Sequence, residues 1–71
     1  MYDLTKLTTS DFRRAFEGAR SKNPGRFEYD LADLMCHKAD DVNARRLSVA
    51  YPEFVQDWLE RADKLPNAGR N

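Results

Sequence analysis

The sequence predicts an all-α fold, a compact bundle of about four short helices in one domain, and three observations predict it. Leu47, Tyr51, Phe54, Trp58 and Ala62 recur at helical spacing and form an unbroken apolar stripe, with Ala50, Val55 and Leu59 beside it. That arc is wider than a coiled-coil seam and suits reception of other helices. Phe12, Ala15, Phe16 and Ala19 repeat the pattern at i, i+3, i+4 and i+7. Asn23-Pro24-Gly25 and Pro52 supply the punctuation that separates helical segments.

Residues 1–7 offer Tyr2, Leu4 and Leu7 to a core but carry no helical or strand period. The first helix then begins with Thr8 as N-cap and Asp11 three residues on, a capping-box spacing, while Leu7 and Phe12 pair across the cap. It ends at Asn23-Pro24-Gly25, because proline cannot continue the hydrogen-bond ladder and Asn and Gly tolerate left-handed backbone. A second helix is expected over 28–38, with Phe27, Leu31, Leu34 and Met35 on its main face. Tyr29, Ala32 and Cys36 form a second strip, which makes this helix either central or part of an interface. Asp40 caps a third helix, over 41–50, whose Ala44 and Leu47 lead into the stripe while Val42 and Val49 point elsewhere.

Pro52 holds Tyr51 away from helical angles and is itself welcome at a first helical position. The reading is therefore a bend followed by a fresh fourth helix from Pro52 to about Lys64, with a single kinked helix as the alternative. The domain is expected to span 1–66, with 67–71 as a flexible C-terminal tail.

With 71 residues the chain buries a small core, and a net stability of ~3–5 kcal/mol is expected. Cys36 is the only cysteine, so no intramolecular disulfide and no four-cysteine or two-cysteine, two-histidine zinc site can form within one chain. A reducing compartment fits this usage. Twelve basic and twelve acidic residues cancel, which gives no overall bias toward nucleic acid or an anionic membrane. Six of the basic residues nevertheless fall in the first 26 positions, against three acidic ones. The N-terminus lacks the apolar region of a signal peptide, and no stretch approaches the ~20 apolar residues of a membrane span, so a cytoplasmic protein is expected.

The chemistry-bearing residues are few. Asp30, Asp33 and His37 fall on one side of the second helix, where they could ligate a metal or orient a general base; the plainer reading is a surface pair between Asp33 and His37 at i, i+4. Cys36 adjoins His37, but neighbours on a helix project about 100° apart and do not readily share a proton. No catalytic residue, cofactor or metal is assigned, and an enzyme is not expected.

Arg13, Arg14 and Arg20 could contact phosphates, joined by Asn43 and Arg45 if the third helix entered a groove. Against this, Glu17 lies three or four residues from each of the first three arginines, as on a solvated face laced with weak pairs. Asp40 and Asp41 would also meet phosphates at the start of the third helix. The apolar strip of Val42 and Val49, rimmed by Arg45 and Arg46, has the make-up of a protein-binding patch; the alternative closes Val42 over Phe27 or the first helix.

The run Lys38-Ala39-Asp40, Asn43, Arg46-Leu47 and Tyr51-Pro52-Glu53, entered from the acidic-apolar helix FEYDLADLM, resembles a pattern in small uncharacterised proteins of tailed bacteriophages. The resemblance spans about Phe27 to Trp58. It implies a phage or prophage origin and an intracellular setting, and it brings no activity. The leading expectation is a non-enzymatic protein–protein interaction module whose partner is a host or phage protein, with a homodimer also plausible. The alternative is a small helical nucleic-acid-binding regulator using the arginines.

Overall fold

Thr8 opens the first helix as the sequence predicts: its side chain accepts from the Asp11 amide, and the Thr8 amide donates to Asp11 Oδ2 at 2.9 Å. Together these satisfy two free backbone donors of the first turn. The computed structural model describes residues 1–65 and shows four α-helices, α1 Thr9–Ser21, α2 Arg26–Asp33, α3 Asp41–Ala50 and α4 Pro52–Asp63. A 3₁₀ turn, Leu4–Lys6, precedes them, and α2 runs on through a π-helical turn, Leu34–Lys38. There, Ala39 N–H donates to Leu34 O at 2.8 Å, one residue beyond α-helical spacing. No strand occurs among the described residues. The expected tail at 67–71 lies outside them.

Local chemistry sets the boundaries. Asn23 adopts φ 55°, the left-handed stop expected at the end of α1, while Gly25 takes an extended φ of −67° as N-cap of α2. The second helix therefore starts two residues before the expected Glu28. Asp40 accepts from Asn43 N–H at 2.8 Å and caps α3. Tyr51, at φ −130° and ψ 58°, separates α3 from α4 just before Pro52, so the two are distinct helices meeting at a bend.

Antiparallel pairing of α1 and α4 forms the base of the bundle: Arg14 meets Asp63, Gly18 meets Trp58 and Ala62, and Lys22 meets Asp57. Between them lie Phe12, Ala15, Ala19, Val55, Trp58 and Leu59, all buried. Leu31, Ala32, Met35 and Cys36 from α2 and its π turn complete the core with Ala44 and Ser48 of α3.

The apolar stripe is corrected in detail. Trp58 is fully buried, but Leu47, Tyr51, Phe54 and Ala62 are half-buried, Ala50 is exposed, and the deepest positions of α4 are Val55, Trp58 and Leu59. Within α4 the buried face is centred on Val55, Trp58 and Leu59, at i, i+3 and i+4, which leaves Phe54 at its edge, and Leu47 and Tyr51 lie before the bend, outside that helix. Leu47, Tyr51 and Phe54 instead flank the core, where an aromatic ladder runs from Phe27 to Tyr51 (5.6 Å between centroids), Phe54 (6.1 Å) and Trp58 (5.9 Å). The main face of α2 is corrected too. Leu31 and Met35 are buried together with Ala32 and Cys36 of the second strip, leaving Phe27, Tyr29 and Leu34 exposed.

Candidate functional site

The outward face of α3 carries the largest apolar exposure on that helix. Val42 and Val49 are 54% and 62% exposed, two helical turns apart, with exposed Arg46 between them at i+4 and i−3. Val42 therefore closes over neither Phe27 nor α1. Beside this face lies a groove of ≈ 370 Å³ bounded by Leu34, Lys38 and Ala39 on one wall and Asn43, Arg46 and Leu47 on the other. The walls are antiparallel, since Phe27 meets Tyr51 at one end and Lys38 neighbours Asn43 at the other. Leu34, at 42% exposed, brings the π turn's apolar surface to the groove.

Arg45, at i+3 from Val42 and i−4 from Val49, rims the same face from the other side and is half-buried. Its Nε donates to the carbonyl of Leu7 at 2.9 Å, fastening the N-terminal segment to α3. The same segment is held by Gln56, which accepts from Tyr2 N–H at 3.0 Å and donates to Tyr2 O at 2.7 Å, while the Ser48 hydroxyl donates to Arg45 O at 2.7 Å and lies 3.3 Å from Leu4 O. The segment's main chain, which the sequence leaves unassigned, is thus paired by side chains from two helices.

The other arginines disperse. Arg14 pairs with Asp63, and Arg20 lies 3.7 Å from Glu17 and above the Phe16 ring. Glu17 therefore answers one of the three arginines near it in sequence, and a carboxylate 49 residues away answers another. Arg13 and Asn43 are exposed on different helices. Arg13, Arg14 and Arg20 stand on α1, while Asn43 and Arg45 stand on α3, with Arg45 turned to the Leu7 carbonyl.

Asp33 and His37 form the surface pair, with Oδ1 and Nδ1 3.1 Å apart, and the imidazole packs edge-on against Phe16 at 4.7 Å. Asp30 pairs instead with Arg26 at 2.9 Å, so the three side chains do not converge, and no group of three or more metal-ligating side chains occurs among the described residues. Cys36 is buried and donates its S–H to the Phe12 carbonyl. Burial pushes its pKa up to about 12, which keeps it in the thiol form at neutral pH. A second depression, bordered by Arg20, Asn23, Pro24, Arg26, Tyr29 and Asp30, has a volume of ≈ 550 Å³. Both of its arginines already face carboxylates.

The polar cluster that joins three helices has no local signature. Lys22, at the end of α1, places its ammonium 3.1 Å from Glu28 of α2 and 2.6 Å from Asp57 of α4. Glu28 also accepts from the Trp58 indole N–H, and Arg61 lies 3.1 Å from Asp57. The hydrogen bond to Asp57 raises the Lys22 pKa above its usual value. Partial burial alone would raise that of Asp57, but hydrogen bonds from Lys22 and Arg61 outweigh it and hold the carboxyl below its usual 3.8. Every charge here is answered within the chain, so the cluster acts as a clamp.

A carboxyl with a depressed folded-state pKa contributes stability above its unfolded value and loses that contribution as pH falls through the folded one. Asp57 therefore supports the fold at neutral pH and stops doing so below pH 3.8. Asp57→Asn is expected to lower the melting temperature at pH ~7 and to flatten its decline on the acid side. Melting curves across that range check this; parallel acid limbs in parent and variant would remove Asp57 from the account.

No family model, curated protein or solved structure matches the chain. Among the described residues no helix is long and apolar enough to cross a membrane.

Proposed function

We propose that the chain is a small non-enzymatic phage or prophage accessory protein that acts in the host cytoplasm by binding a host or phage protein. The observation that carries this reading is the α3 face, where Val42 and Val49 stay exposed on a chain with few large apolar residues to spare. Arg46 lies between them, and arginine among apolar side chains is the composition favoured at protein interfaces. Arg45 flanks the same valines on the other side, with its Nε held by the Leu7 carbonyl. The buried thiol of Cys36 and the Asp33-bound imidazole of His37 support a non-catalytic role. The phage setting rests on the resemblance of the Lys38–Val55 run.

Val42→Asp with Val49→Asp tests the reading. Both positions are exposed, so the double variant should melt within a few degrees of the parent. It should also fail to retain a host or phage protein that the parent retains when purified from host cells. An intact variant that still retains that protein would move the contact surface elsewhere.

A further inference from the structure

Arg46 makes no ion pair and no side-chain hydrogen bond among the described residues. Arg14, Lys22, Arg26 and Arg61, by contrast, each face a carboxylate. Arg46 is also the residue shared by the two apolar features of this side, since it lies between Val42 and Val49 on α3 and borders the groove with Leu34 and Leu47. A partner that covers the valines and enters the groove must therefore cover its guanidinium. Burying an unpaired charge is strongly unfavourable, and no carboxylate pairs with it among the described residues. The partner has to bring the carboxylate.

Resting on the interaction reading above, we propose that the occupant of this face is an amphipathic helix of another protein. That helix carries an Asp or Glu with large apolar residues one turn away on either side. The groove between the π turn and α3 has room for apolar side chains projecting from one face of such a helix, which itself lies over Val42 and Val49. The carboxylate meets Arg46 in the fork geometry a guanidinium favours, while the apolar neighbours enter beside Leu34 and Leu47 and over Val42 and Val49. A second copy of this chain fits less well. Two-fold pairing through α3 brings Arg46 toward its own image, and like charges facing each other disfavour that arrangement.

Selection with the 71-residue chain from a display library of helical peptides with randomised outer positions tests the proposal. The expected winners carry Asp or Glu flanked by apolar residues at i±3 or i±4. Arg46→Glu should weaken them on the order of tenfold or more, and replacing the peptide carboxylate by Arg should restore binding to that variant. Winners that bind the Arg46→Glu variant as well as the parent, yet lose binding to Val42→Asp with Val49→Asp, would overturn the carboxylate requirement and leave the face intact. Winners indifferent to the valine pair, or no enrichment at all, would overturn the proposal, and the former would remove the face as well. Light scattering that shows a dimer dissolved by the valine pair would make a second copy the occupant and likewise overturn it.

Discussion

Trp58→Ala is expected to abolish cooperative unfolding. Trp58 is fully buried, stacks on Phe54 at 5.9 Å, and donates its indole N–H to Glu28, so one side chain joins the core to the Lys22 clamp. Truncating a buried Trp to Ala costs ~3–5 kcal/mol, since it forfeits apolar burial and leaves a cavity that a small bundle refills only in part. A domain of this size holds about 3–5 kcal/mol in total, so the loss matches the whole. Thermal and urea unfolding followed by far-UV circular dichroism should show a broad, sloping transition. Trp58→Phe separates the two roles: it keeps most of the apolar volume and removes the indole donor, with an expected cost of ~1–3 kcal/mol. A Trp58→Ala protein that melts sharply near the parent temperature would contradict the burial on which the core assignment rests.

That Trp58 is core was legible in the sequence, and so were the caps, the stop and the bend, because each depends on residues within a turn of one another. Thr8 with Asp11, Asp40 with Asn43, Asn23 in left-handed backbone and Pro52 at a first helical position all follow from local chemistry. The face that α4 turns inward was not legible. Tyr51 lies outside α4, and within α4 Phe54 and Val55 both stand at helical spacing from Trp58, so spacing alone does not say that Val55 and Leu59, and not Phe54, are fully buried. The candidate surface shows the same division. Val42, Arg46 and Val49 point off the core as helical spacing requires, whereas nothing in that spacing shows that Arg45, beside the same valines, reaches a carbonyl 38 residues distant. The pairing of Gln56 with Tyr2 spans 54 residues and the link from Lys22 to Asp57 spans 35. Such pairings depend on which helices come together, and spacing along one helix carries no information about that.

Gly18→Ala should destabilise the fold by about 2 kcal/mol or more, the opposite of what its position in the sequence suggests. Gly18 lies inside α1, where replacing glycine by alanine ordinarily stabilises a helix by ~0.8–1.0 kcal/mol. Here α1 and α4 cross with their backbones touching. A Cβ on residue 18 would stand 1.9 Å from the Trp58 carbonyl oxygen, 2.8 Å from its carbon and 3.0 Å from the Ala62 nitrogen. These are main-chain atoms of a helix and cannot swing aside as a side-chain tip can, so α4 must move away from α1. That movement loosens Ala15, Ala19, Val55 and Leu59, all of which are closely packed between the two helices. The helix preference and the packing clash have opposite signs, so the direction of the change alone decides between them. A lower midpoint in urea, with an unchanged slope, is the expected result. A higher one would mean that α1 and α4 do not cross at Gly18, and the antiparallel pairing that positions Trp58 and the Lys22 clamp would have to be redrawn.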